Sequence, residues 1–337
     1  MPQNSIASDR PVASGTLLFS AQKDEGPFLL EWIAFHRSIG FENILIFSND
    51  CSDGSDWLLD CVAETGAITH IRTTPGAKES AQGLAAKLTQ EHPLYQKADW
   101  ACWLDIDEFL NIKTGTGYVT DLVSAVGDRH GALLSWRLFG DSGLPNWHPQ
   151  QLAVESFIRA APKGAPVNNP VKSFFRTGAW IQHLYIHRPV FTDDAPELGL
   201  HLIDNDGSDL PAEVLFGKRN NGMPNKDNPN RNRRNLLAQV NHYAVRTYDV
   251  FQLKRIRGSG MKPTGASSEL RGRRHGQHFW DKRNTNQKQD KSIHQNLPAL
   301  RAELAVLLNV PEIAKAHEAC CDAMAVRLRQ AGSLNGE

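Results

Sequence analysis

Residues 100–112, WACWLDIDEFLNI, run a short apolar stretch into three carboxylates, Asp105, Asp107 and Glu108. Acids are rarely buried without a partner, because an ionised carboxylate is costly to desolvate. Side chains alternate faces along a strand, so a strand running on through residue 107 would send Asp105 and Asp107 one way and Ile106 the other. Two like charges placed together repel unless a cation lies between them. Hard oxygen ligands suit Mg²⁺ or Mn²⁺, which take few protein carboxylates and bridge to phosphates. The pair is a candidate metal site facing a phosphorylated ligand, and Glu108 is expected on the opposite face as a structural acid.

Two further acid-bearing segments follow strand-like runs. AQKDEG carries Asp24 and Glu25, and SNDCSDGSD carries Asp50 and Asp53. The second could be mistaken for a calcium loop centred on Gly54. Aligned on that glycine, the third position is Cys51 and the twelfth is Asp60, so a needed oxygen and the bidentate Glu are both missing. Both acids also suit a turn and the cap of the next helix, Asp53 more than Asp50.

The elements that must position these acids alternate. Strand patterns at 15–21, 43–48, 67–72 and 100–105 are separated by helical patterns at 25–40, 55–66 and 79–92. Such alternation predicts βαβ units and a mainly parallel sheet, which binds ligands beyond the carboxyl ends of its strands. Further strands are expected at 131–140 and 179–190, an exposed loop at 217–235, and two helices at the C-terminus, with Pro311 in the first turn of the second.

Composition narrows the class. A net charge of +0 announces neither a nucleic-acid nor a membrane partner. No run of about twenty apolar residues predicts a bilayer span. The N-terminal MPQNSIASDRPVASG lacks the pattern of a secretory signal and is expected to be a loose polar lead-in. Five cysteines with no C-x-x-C predict a reducing, cytoplasmic setting without disulfides or a zinc site.

The combination of motifs resembles the family-2-like glycosyltransferases of the GT-A fold, especially the glycosyltransferase family 92 group. KDE (23–25), LLEWIAFHRSIGF (29–41), ILIFSNDCSDGS (44–55) and ADWACWLDIDEFL (98–110) carry it most specifically. SWRLFGDSG (135–143), KSFFR (172–176), HRP (187–189) and NHYAVRTYDVFQLKRIRG (241–258) add to it. The resemblance implies a metal-dependent, inverting transferase moving a sugar from a UDP-sugar to a glycan or lipid-linked acceptor. It implies a GT-A domain over 15–258, after the 1–14 lead-in and before a basic and helical extension at 259–337. Glu25, Asp50 and Asp53 would hold the nucleotide base and ribose, and Lys254 the donor phosphates. Asp105 and Asp107 would hold Mn²⁺ or Mg²⁺ on the diphosphate, and His242 would complete the metal site in preference to His187. Asp141 is the candidate base for the acceptor hydroxyl, since an inverting transferase needs one.

The basic stretch 254–291 is first a solvated surface. Its functional alternatives are phosphate contacts, an anionic glycan, or peripheral contact with an anionic membrane, at the inner face of the cell membrane for a cytoplasmic protein. Few aromatics interleave with it, which argues against nucleic acid. Two rivals to the transferase stand beside it. A nucleotidyltransferase should carry a glycine-rich, cationic phosphate loop that SAQKDEG lacks, and a glycan-binding or regulatory protein on the same scaffold would not need the intact acids.

Overall fold

The computed structural model describes residues 11–211, 215, 234–257 and 276–334. Most of the predicted loop 217–235, the middle of the basic segment and the first ten residues lie outside the described residues.

Apolar runs bounded by glycine and polar turns give strands β1 (Ala13–Gln22), β2 (Phe41–Asn49), β3 (Thr69–Thr73) and β4 (Trp100–Trp103). Helices α1 (Gly26–Ser38), α2 (Ser55–Glu64) and α3 (Ala81–Glu91) fall between them. Pro27 sits in the first turn of α1, where its missing N–H costs nothing, and Ser80 caps α3 by accepting from Gly83 N at 3.0 Å. Later strands are β5 (Glu108–Ile112), β6 (Gly131–Leu138), β7 (Arg159–Ala160), β8 (Val171–Arg176), β9 (Ile181–His183), β10 (Val190–Phe191), β11 (Leu202–Asp204), β12 (Ala238–His242) and β13 (Lys288–Gln289).

The main sheet has the order β3-β2-β1-β4-β8-β6-β12-β5, with β11 also on β6. The first four strands are parallel, while β8 lies antiparallel to both β4 and β6, and β12 runs parallel to β6 and antiparallel to β5. The carboxyl ends of β1, β2, β4, β6 and β12 therefore share one edge with the starts of β5 and β8. This is an α/β fold with the expected mainly parallel sheet, and its second half is mixed.

One connection shapes the whole sheet. β4 and β5 are joined only by residues 104–107, yet three strands lie between them in the order. Four spacings of about 4.8 Å would separate them by roughly 19 Å in a flat sheet. The link is a tight turn in which Glu108 N donates to Asp105 O at 2.9 Å, and it cannot cover that distance. The sheet must curl to bring both strands to one place.

Helices cover both faces. Trp32, Ile33 and Phe35 of α1 and Leu58, Leu59 and Val62 of α2 pack on one face of the sheet. The C-terminal helices Leu297–Leu308 and Pro311–Leu334 join that same core through Leu300, Leu307, Ile313, Ala316 and Cys320. Arg37 of α1 and Glu303 form an ion pair across this seam. The C-terminal helices thus share the core of the residues before 258 and do not stand apart from it. On the other face α3 covers Phe19, Leu45 and Trp103 with Ala85 and Ala86. All five cysteines are free thiols, and among the described residues no helix is long and apolar enough to cross a membrane.

Candidate active site

The acids at the common edge do not end a strand. β4 stops at Trp103, and residues 104–107 form a turn, so strand alternation is not what groups Asp105 with Asp107. The turn is pinned from below by Trp32, whose indole N–H donates to Asp105 O at 3.0 Å and to Glu108 O at 2.9 Å. Glu108 does not point away either. Its Oε2 accepts from Asp105 N at 2.8 Å, and the side chain is fully buried within the acid cluster.

Two lysines answer these acids. Lys172, at the start of β8 and fully buried, places Nζ 3.2 Å from Asp105 Oδ2 and 2.9 Å from Glu108 Oε2. Burial works against its charge, but the two carboxylates more than offset this and raise its pKa. Lys254 donates to Asp107 and to Ala244 O, the latter at 3.1 Å. Burial alone would raise Asp107; Lys254, His242 and Arg246 outweigh it and hold the carboxyl well below its ordinary value.

His242, at the end of β12, lies with Nε2 3.5 Å from Asp107 Oδ1. Its ring packs on Trp136 at 4.2 Å between centroids, and His187 packs on the same indole at 5.7 Å. The two histidines differ in their bonding. His187 Nδ1 donates to Val171 O at 3.0 Å, while His242 Nδ1 is buried with no partner among the described residues. Burial, aided by Lys172, pushes the pKa of His187 down to about 4, leaving it neutral.

Arg246 ties the first loop to this turn. Held at φ +51°, it donates to Glu25 Oε2 at 2.9 Å and to Ile106 O at 3.3 Å, with its guanidinium 3.5 Å over the Phe28 ring. Glu25 is therefore brought to the acid cluster through a cation. Asp50 follows β2 at φ +45° with a half-exposed carboxylate, 3.9 Å from Lys23 Nζ. Asp53 is spent on the backbone instead: its two oxygens accept from Gly26 N and Ser55 N, both at 2.9 Å, fixing the loop and the start of α2.

Asp141, the candidate base, is held in its loop by three hydrogen bonds. Its Oδ1 accepts from Gly143 N and Asn286 Nδ2, and its Oδ2 from Asn284 Nδ2, all at 2.9 Å. Both oxygens dock the segment 284–286 onto the loop after β6.

Among the described residues, no three His, Cys, Asp or Glu side chains converge closely enough to hold an ion unaided. The donors present are Asp105, with a quarter of its side chain exposed, Asp107, and the imidazole of His242. Their oxygen and imidazole chemistry suits a divalent ion, but as placed the three do not converge into such a group: Asp107 is paired with Lys254 and His242, and Asp105 with Lys172.

The acids of the turn are legible in D-x-D; Lys172, Arg246 and Gln82, whose Nε2 lies 3.4 Å from Asp105 Oδ1, are not assigned a role by the sequence. Lys172 and Arg246 stand in KSFFR and NHYAVRTYDV, motifs that mark the region without marking the residue.

In sequence, the chain is similar to a glycosyltransferase family 92 protein of Ricinus communis, 28% identical over 136 residues, which is 39% of this chain and 24% of that protein. The match thus spans about a quarter of the relative's own length. No family model matches the chain. Among solved structures, it is similar to S. aureus TarS 1-349 in complex with UDP-GlcNAc (TM-score 0.31, 9% identity, 48% of this chain and 45% of that one). It is also similar to the galactosyltransferase LgtC in complex with donor and acceptor sugar analogues (TM-score 0.30, 12% identity, 79% and 99%).

Proposed function

We propose that this protein transfers a glycosyl group from a nucleotide diphosphate sugar, a UDP-sugar in the first instance, to a hydroxyl of a glycan or lipid-linked acceptor, with inversion. The observation that carries the proposal is the turn Asp105–Asp107, held at the carboxyl edge of the sheet between two lysines and a histidine. A diphosphate needs a site where negative charge is met by cations that already have a place to stand. Lys254 is such a cation, half-buried on the helix Tyr248–Arg257 and paired with Asp107. Asp105, Asp107 and His242 would hold Mn²⁺ or Mg²⁺, and the ion would act as a Lewis acid on the leaving diphosphate. Lys172 and Glu108 keep Asp105 in place, and Arg246 keeps Glu25 at the mouth of the nucleotide loop.

Thermal unfolding with UDP and Mn²⁺ tests this. Ligand at about a hundred times its dissociation constant should stabilise the protein by about 2.7 kcal/mol, and chelator should abolish the shift. His242→Ala should raise the Mn²⁺ concentration required, while His187→Ala should not. Equal shifts with metal and with chelator would remove the metal from the proposal, and no shift with any nucleotide would remove the donor.

A further inference from the structure

Charge is spread unevenly along this chain. The whole sequence has a net charge of +0, yet residues 254–291 hold 11 Lys and Arg against 3 Asp and Glu. Residues 258–275 of that stretch lie outside the described residues, and the two helices that flank them pack together. On the helix Tyr248–Arg257, Phe251 is buried and Lys254 turns inward to Asp107, while Arg255 is exposed and Ile256 is 72% exposed. The short helix Gln277–Arg283 meets it through rings: Trp280 lies 4.9 Å from Tyr248 and 5.2 Å from Phe251 between centroids. This second helix carries a Phe and a Trp but no buried residue, and Tyr248 is itself 43% exposed. Lys282 is exposed beside them, and Arg283 lies over the Phe279 ring at 4.0 Å. The acid of that helix, Asp281, accepts from Gln277 Nε2 at 2.8 Å.

Exposed cations, an exposed isoleucine and a half-buried Trp–Tyr pair together match an anionic membrane surface. Lys and Arg are drawn to its headgroups, Trp and Tyr settle at the boundary between polar and apolar layers, and an aliphatic side chain gains by entering it. An anionic glycan or a nucleic acid would use the cations but gain nothing from Ile256. We infer that this face seats the protein on an anionic membrane, with Ile256, Tyr248 and Trp280 entering the interface and Arg255 and Lys282 meeting lipid phosphates. Lys254 lies on the same helix with its ammonium on Asp107, so a membrane seated here borders the acid cluster. The inference rests on this surface and not on the transferase proposal.

The test is co-sedimentation of the full chain with vesicles of phosphatidylcholine alone or in equal mixture with phosphatidylglycerol, at low and at high salt. Binding to the mixed vesicles only, weakened by salt, is expected. Arg255→Gln with Lys282→Gln should weaken it by about fivefold per charge. Ile256→Ser should weaken it by about tenfold whatever the salt. All three positions are exposed, so the variants should melt as wild type does. Equal binding to neutral and mixed vesicles would overturn the inference, as would binding to mixed vesicles that neither variant changes. Heparin binding that the double variant weakens, with no binding to either vesicle, would overturn it and make this face a site for soluble polyanions.

Discussion

Asp50 shows what a single residue has to do at the end of a parallel strand. It holds φ +45°, a region that short polar side chains tolerate and alanine does not favour, so an alanine variant would mix backbone strain with lost chemistry. Asp50→Asn keeps the turn and removes the charge. It should leave the melting temperature close to wild type and weaken UDP binding by about 1.5–3 kcal/mol, roughly ten- to a hundredfold, in calorimetry. Unchanged affinity would reduce Asp50 to a turn residue. Lys172 poses the opposite problem, because its ammonium is enclosed with Asp105 and Glu108. Lys172→Met strands the buried Glu108 and leaves the half-buried Asp105 without its cation, and urea unfolding should show a loss of about 3–5 kcal/mol. A loss below about 1 kcal/mol would mean that water or protonation already satisfies the acids without it.

Elements explain which of these residues can be foreseen. Glu25, Asp50 and Asp105 follow apolar runs of strand length, and periodicity alone places such residues at a carboxyl edge. Lys172 reaches the same edge because β8 runs the other way and begins there, 67 residues after Asp105. Strand direction leaves no trace in the periodicity of one sequence, so nothing singles out the lysine. The turn at 104–107 is hidden for a related reason: D-x-D reads equally well as the end of a strand or as a link to the next one. The docking role of Asp141 is hidden because its two asparagine partners lie more than 140 residues away. The C-terminal helices are legible as amphipathic, but their seat is not. A Cβ built on Gly26, next to Glu25, would lie 2.6 Å from Cys320 Sγ, so the last helix presses directly on the loop after β1. A chain stopped near residue 258 should therefore bind a hydrophobic dye, melt earlier and lose its UDP response. A stable fragment that still responds to UDP would show that the helices merely decorate the fold.

At the scale of the whole molecule, one buried histidine sets some of the response to acid. His36 of α1 donates through Nδ1 to Trp32 O at 2.9 Å and accepts from Leu110 N at Nε2, 3.3 Å away. Burial pushes its pKa down to about 3. A folded-state pKa below the unfolded value near 6.5 means that the unfolded chain takes up the proton first. The stabilisation is complete above about pH 6.5 and falls steadily toward pH 3, by about 2 kcal/mol between pH 8 and pH 5. Urea unfolding of wild type and His36→Phe across that interval should show a shallower pH dependence in the variant. Parallel curves would place the titration elsewhere.

The turn that joins distant strands has a consequence for how the protein is made. Among the described residues the ladder partner of β5 is β12, so Glu108–Ile112 leave the ribosome well over a hundred residues before the strand they pair with. At about 5–20 residues per second, that apolar strand waits on the order of ten seconds without its partner. Asp107 waits as long for His242, and longer for Lys254. A nascent or prematurely terminated chain therefore exposes an unpaired edge and lacks the ion pairs that hold Asp107, making it a client for chaperones.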